Sequence, residues 1–139
     1  MNPVKNLTLI IFFLFMGISH IGAQASLTFN QTFSALKATT LELHVNSQNI
    51  QIKPTKGSRI IVEASVEISS SNYNLLDFMQ KTGRYELEQQ LDADQKVLVL
   101  STKRLKNVVV IKGEEIRETI HYTIYLPNTI KYAAEQLEG

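Results

Sequence analysis

Downstream of residue 40, apolar and polar side chains alternate with a period of two. This is the pattern of strands with one face covered and the other wet. Leu41, Leu43 and Val45 share one face of the first run, and Glu42 and His44 share the other. Asn46-Ser47-Gln48-Asn49 reads as a polar turn, after which Ile50 and Ile52 resume the apolar face. Residues 54–58, Pro-Thr-Lys-Gly-Ser, read as a second turn because they combine a fixed φ, a flexible glycine and short polar side chains. A long strand is expected next, with Ile60, Val62, Ala64, Val66 and Ile68 inward and Arg59, Glu63, Ser65 and Glu67 outward. Ile61 is the apolar exception on the wet side.

The period changes once. Leu75, Leu76, Phe78 and Met79 recur at helical spacing over residues 75–81, with Asn74 placed to cap the start, Asp77 in the first turn and Gly83 placed to end the helix. Residues 84–91 and 96–102 then read as a hairpin around Asp92-Ala93-Asp94-Gln95. Residues 97–100 and 108–111 are continuously apolar, which predicts strands covered on both faces, with the helix as the second cover. After a turn at Lys112-Gly113, residues 114–126 read as the longest strand. Ile116, Ile120, Tyr122, Ile124 and Leu126 line one face; Arg117, Thr119, His121, Thr123 and Tyr125 line the other. Pro127-Asn128-Thr129 breaks it, Ile130 and Tyr132 begin another strand, and the pattern is lost over residues 133–139. Residues 41–52 and 120–132 echo each other as strand, turn, strand, but two copies fall short of the roughly three units that a solenoid needs.

The fold expected from this pattern is mainly β: a two-layer β-sandwich or short β-roll with one short α-helix and seven or eight strands, with a few-turn β-solenoid as the alternative. The expected core is Leu41, Leu43, Val45, Ile50, Ile52, Ile60, Val62, Val66, Ile68, Leu98, Leu100, Ile120, Tyr122, Ile124 and Leu126.

The amino-terminal segment reads differently. Lys5 lies in a short polar start, residues 7–18 form an apolar run, and Ala23-Gln24-Ala25 supplies the small-residue pattern that signal peptidase accepts. The run is shorter than the roughly 20 residues that span a bilayer. Residues 1–25 are therefore expected to be a signal peptide and residues 26–139 a single β-rich exported domain, periplasmic or at the cell surface, not integral to the membrane after cleavage. The chain carries 14 Lys and Arg against 13 Asp and Glu. Lys5 is the only charge in the leader, so the exported part is balanced and offers no overall field for nucleic acid. Cysteine is absent, which removes disulfides, thiolate zinc sites and thiol nucleophiles and leaves stability to core burial.

The unit Leu-Glu-Leu-His-Val-Asn-Ser-Gln-Asn-Ile-Gln-Ile and the strand ending in Ile-Tyr-Leu-Pro-Asn-Thr-Ile-Lys-Tyr resemble a broad group of bacterial adhesin-like secreted proteins built from β-strand repeats. The resemblance covers roughly residues 40–132, with the helix as an insertion. It rests on a strand–turn–strand rhythm rather than a catalytic signature. It implies an exported, disulfide-poor β protein that binds or builds at the cell envelope. Where similar proteins often carry glycine in the turn, Gln48 and Asn49 stand here, and no further repeats follow residue 132 in this sequence.

Chemistry-bearing residues are few, and each has an ordinary structural role. His44 and His121 would supply two metal ligands if their strands were neighbours, but both fall on wet faces with no carboxylate at ligand spacing. Asp92 and Asp94 offer two carboxylates where calcium needs six to eight oxygens, so a hairpin tip is expected. Glu86 and Glu88 share a strand face and Glu114, Glu115 and Glu118 cluster, as glycosidase acids would. They also alternate as a solvated face does, and tryptophan is absent. Lys103, Arg104 and Lys106 form a basic turn that fits either an anionic surface ligand or edge protection. No G-x-S-x-G or phosphate-cradling glycine loop occurs. No catalytic, cofactor-binding or metal residue is assigned, and the chain is not expected to be an enzyme.

Three functions follow as expectations. The first is a non-catalytic exported binding or structural module of the envelope. The second is a carbohydrate-active enzyme or carbohydrate-binding domain, which requires Tyr73, Tyr85 and Tyr125 to converge near Glu86 or Glu118. The third is an accessory subunit of an envelope signalling or transport system, which requires Ile61, Val109, Ile111 and Tyr125 to form one apolar patch for a partner protein.

Overall fold

The computed structural model describes residues 22–47, 49–103 and 107–134. Residues 1–21 of the expected leader, Gln48, Arg104, Lys106 and residues 135–139 of the expected tail lie outside the described residues.

Among the described residues, ten strands and one helix follow in chain order: β1 (Ser26–Ser34), β2 (Thr40–His44), β3 (Asn49–Thr55), β4 (Arg59–Ile68), α1 (Tyr73–Lys81), β5 (Leu87–Asp92), β6 (Val97–Thr102), β7 (Val109–Ile111), β8 (Glu114–Ile116), β9 (Glu118–Pro127) and β10 (Lys131–Ala133). One sheet has the order β1-β4-β9-β3, the other β10-β2-β6-β5, and β7 and β8 pair only with each other. The two four-stranded sheets bury their inward residues in one shared core, a β-sandwich arrangement. Neither sheet closes into a barrel.

The internal echo has a structural counterpart. The β2–β3 unit passes from the second sheet to the first, and β9–β10 passes from the first to the second. They meet in parallel at both ends, Leu41 beside Tyr132 and Ile50 beside Tyr122. The units therefore interlock across the sandwich rather than stack as a solenoid. The remaining pairings are β2 with β6 in parallel, and β1–β4, β4–β9, β5–β6 and β7–β8 antiparallel. Single-face alternation is the same for both pairing directions, which is why the sequence left this open.

Twelve of the fifteen expected core residues are buried, and Val45, Ile50 and Ile52 are half-buried against the core. Ala25, Phe33, Ala38, Ala64, Leu76, Met79, Tyr85, Leu87, Ile116 and Ile130 complete it.

Several expectations are corrected. β1 was not foreseen. Its inward row is Leu27, Phe29, Gln31 and Phe33, and the amide Gln31 masks the alternation while its Oε1 accepts from the Leu87 N–H at 3.0 Å. The helix starts two residues earlier than expected, capped by Asn72 rather than Asn74: the Asn72 side chain accepts from the Leu75 N–H at 3.1 Å. β3 runs through Pro54, which an edge strand tolerates because its nitrogen owes nothing to the ladder. Ala133 belongs to β10 rather than to the tail.

The strand expected over residues 114–126 is two strands. At Arg117 the main chain turns to Ser69 instead, its N–H donating to Ser69 Oγ and its carbonyl accepting from the Ser69 N–H, both at 2.9 Å. This frees β8 to leave the sheet and pair with β7. Residues 108–111 are not covered on both faces, and α1 packs beside β1 rather than over them.

Candidate functional site

The helix exit, the start of β9 and the approach to β7 are joined by one polar cluster. Gly83 takes φ +84°, a left-handed conformation that reverses the chain after α1. A Cβ there would also press on the Glu86 carboxyl at 3.3 Å. The reversal aims Arg84 and Tyr85 at Glu118. Arg84 grips the carboxylate with two nitrogens, Nη2 donating to Oε1 at 2.6 Å and Nε to Oε2 at 3.0 Å. Nη2 also donates to the Asn107 carbonyl at 2.6 Å, and the Tyr85 hydroxyl donates to Glu118 Oε2 at 2.7 Å. The Arg84 and Glu118 side chains retain only 16% and 13% exposure.

The hydrogen bond to Glu118 holds the Arg84 guanidinium above its usual value. Burial, and then the bond to the carboxylate, push the Tyr85 hydroxyl well above the ordinary tyrosine range. Glu118 thus favours the protonated forms of both Arg84 and Tyr85. Arg84 neutralises Glu118, and Tyr85 keeps its proton. The cluster works as a clamp that fixes the helix and the hairpin relative to β9.

Arg84 and Asn107 stand between two depressions. On one side is a polar cleft of about 500 Å³, which also meets Asn46, Glu115, Arg117 and Thr119. On the other is a mainly apolar groove of about 410 Å³ between α1 and β7, lined by Leu75, Phe78, Met79, Val109 and Ile111. Both walls of the groove carry bare side chains, Phe78 at 65% exposure and Ile111 at 42%; Val108, at 65%, lines the polar cleft instead, and Val110 is 56% exposed on the other face of β7. Phe78 faces outward because it lies about 130° around the helix from the midpoint of the buried pair Leu76 and Met79, at 3.6 residues per turn.

Of the residues singled out from the sequence, Tyr85 and Glu118 meet in the clamp, Glu115 lines the cleft, and Val109 and Ile111 line the groove; the others lie elsewhere. His44 is on the outer face of β2, where its ring contacts Glu42 at 3.2 Å, and His121 is on the outer face of β9 in the opposite sheet. Among the described residues no three His, Asp or Glu side chains group as metal ligands. Asp92 Oδ1 accepts from the Asp94 and Gln95 N–H groups, both at 3.1 Å, and so closes its own hairpin turn. Glu86 meets Lys103 at 3.2 Å, while Glu88, Glu114 and Glu115 are exposed. Glu118 is held in the clamp by Arg84 and Tyr85.

Tyr73, Tyr85 and Tyr125 do not converge. Tyr73 is exposed at the helix start and Tyr85 is buried with its ring 6.4 Å from Phe29. Tyr125 stands under Lys53 on the outer face of the first sheet. Ile61 and Tyr125 are register partners, but they lie seven positions along β4 and β9 from the end near the hairpin, about 23 Å at 3.3 Å per residue. The expected apolar quartet thus divides into two separate pairs.

Arg84, Asn107 and the exposure of Phe78 were not found from the sequence. Its one usable signal was the run at residues 108–111, too apolar for a wet hairpin. No protein-family model, curated protein or solved structure matches this chain.

Proposed function

We propose that this chain is an exported, non-catalytic binding module of the cell envelope, adhesin-like in build, that engages a protein partner through the apolar shelf formed by α1 and β7. The observation that carries this is the exposure of Phe78 and Ile111 on the two walls of one mainly apolar groove. Contiguous apolar surface of this kind on an exported domain marks an interaction site. The clamp of Arg84, Tyr85 and Glu118 supports it, because it holds both walls of the groove in place before any partner arrives. The leader pattern at residues 1–25 supports the location. An accessory role in an envelope signalling or transport assembly is the case in which the partner is a permanent neighbour.

The test is a photoreactive amino acid at Phe78 in the full-length protein, activated in living cells and analysed by mass spectrometry of the envelope fraction. A protein adduct formed at Phe78, and absent when the label stands at Thr123 on the far face, is the expected result. Labelling of polysaccharide alone, or recovery of the protein only from the cytoplasm, would overturn the reading.

A further inference from the structure

We infer that a second copy of this chain docks on the outward edge of β7, joining the two hairpins antiparallel across a twofold axis into one four-stranded sheet. This deepens the binding reading above by naming the occupant of the β7 side of the shelf.

The open edge follows from the turn. Lys112 at φ 51° and Gly113 at φ 79° form a two-residue turn that closes on the pair Ile111–Glu114. In an antiparallel ladder, hydrogen-bonded and non-bonded pairs alternate. Val109 and Ile111 therefore spend their N–H and C=O groups on β8, while Val108 and Val110 direct theirs outward. Those groups have no partner among the described residues. The β8 edge is different, since Arg117 is already bonded to Ser69 and Glu114 and Glu115 are exposed beside it.

Charge selects the same edge. Residues 107–111 carry none, so β7 approaches its copy without opposition. Pairing through β8 would set Glu115 within about 5 Å of a copy's carboxylates, which is destabilising. Pairing through β7 leaves the two β8 strands three spacings apart, about 14 Å. That exceeds the screening length of about 8 Å at physiological salt.

The edge is also self-complementary. In the register that places Val108 opposite the copy's Val110, four main-chain hydrogen bonds form, Val109 meets its own copy, and each of the three positions packs valine on valine. The valine-rich sequence of β7 has high strand propensity and gains cross-strand valine contacts from the partner hairpin. An edge strand left apolar, uncharged and unpaired would otherwise invite indiscriminate pairing.

The experiment is sedimentation equilibrium on the protein freed of residues 1–21, which keeps every described residue. The expected result is a reversible monomer–dimer equilibrium weakened at least tenfold by Val110→Pro, which removes an outward N–H without touching the β8 ladder, and by Val110→Lys. Val110→Thr should leave it nearly unchanged. The chain has no cysteine, so Val109→Cys should yield a disulfide-linked dimer on mild oxidation. Directly opposed non-bonded pairs place Cα atoms about 4.5 Å apart, within disulfide reach. Circular dichroism checks that each variant remains folded. A protein that stays monomeric to its solubility limit, or a dimer indifferent to both Val110→Pro and Val110→Lys, would overturn the inference. A monomer that still yields a foreign adduct at Phe78 overturns only the second copy; a β7 dimer with no foreign adduct at Phe78 sustains the second copy and removes the separate partner.

Discussion

The sandwich and the shelf beside it use the same apolar residues in opposite ways. Between the sheets, Leu41, Ile60, Val66, Leu98, Leu100 and Ile124 are fully covered, and no side-chain polar atom is buried without a partner among the described residues. On the shelf, Phe78, Val108, Val110 and Ile111 stay largely in water although their hydrophobicity matches that of the core. The core residues contribute to folding, since removing them from water stabilises the chain by about 25 cal/mol per Å². The shelf residues contribute little to folding and remain available for association. The clamp of Arg84, Tyr85 and Glu118 lies at the boundary and fixes the open region to the closed one.

Truncation at the centre of the sandwich should have the largest effect. Leu98→Ala is expected to cost about 3–4 kcal/mol in urea unfolding, because the interlocked sheets leave little room for the cavity to collapse. A loss below 1 kcal/mol would mean that the core is looser than its burial indicates.

The boundary comes next. Glu118→Ala should cost about 3 kcal/mol, at the low end for removing one partner of a buried pair, because the Arg84 edge still meets solvent. Glu118→Gln should recover part of this by keeping an acceptor for Tyr85. The same variants should raise amide exchange in β7 and β8 more than in β4. Equal loosening of both regions would show that the clamp is part of the core and not a link to the shelf.

Alkaline pH tests the closed region and the clamp together. Burial pushes the Tyr122 hydroxyl up to about 12 from its ordinary value of 10.0. The folded state then holds the proton that the unfolded state releases, so stability is intact below pH 10 and falls as pH rises from 10 towards 12. Tyr122 accounts for a loss of roughly 2 kcal/mol over that window, and Tyr122→Phe should remove that share while the share of Tyr85 persists. An unchanged slope in the variant would place the effect elsewhere, with Tyr85 the next group to test.

The smallest effect on stability is expected on the shelf. Phe78→Ser and Val110→Thr should each change unfolding free energy by no more than about 0.5 kcal/mol, as exposed positions do. Phe78→Ser should nevertheless abolish partner capture at the groove. A destabilisation comparable to that of Leu98→Ala would show that these side chains are already covered within the monomer.

Much of the closed region was legible in the sequence, because period-two alternation maps directly onto one covered face. The inward rows of β4 and β9 were read correctly residue by residue; the β5–β6 hairpin was also legible, although its first strand begins at Leu87 rather than at residue 84. β1 was missed because Gln31 occupies an inward position, where its polarity is satisfied by a main-chain partner from β5 that only the folded chain supplies. The shelf was misread for a related reason. Hydrophobicity at residues 108–111 indicates that cover is favourable, but not whether it comes from the same chain. The clamp left no local trace, since Arg84 and Glu118 are 34 positions apart.

The sequence by itself determined the β character, the inward faces, the helix before residue 82 and the absence of cysteine chemistry, because these depend on short-range periodicity and residue type. Tertiary structure decided the sheet order, the interlocking of the two echoed units, the divergence of β8 at Arg117 and the exposure of Phe78 and Val110. Those depend on which distant segments meet, and the free energy of such meetings is shared among residues far apart in the chain.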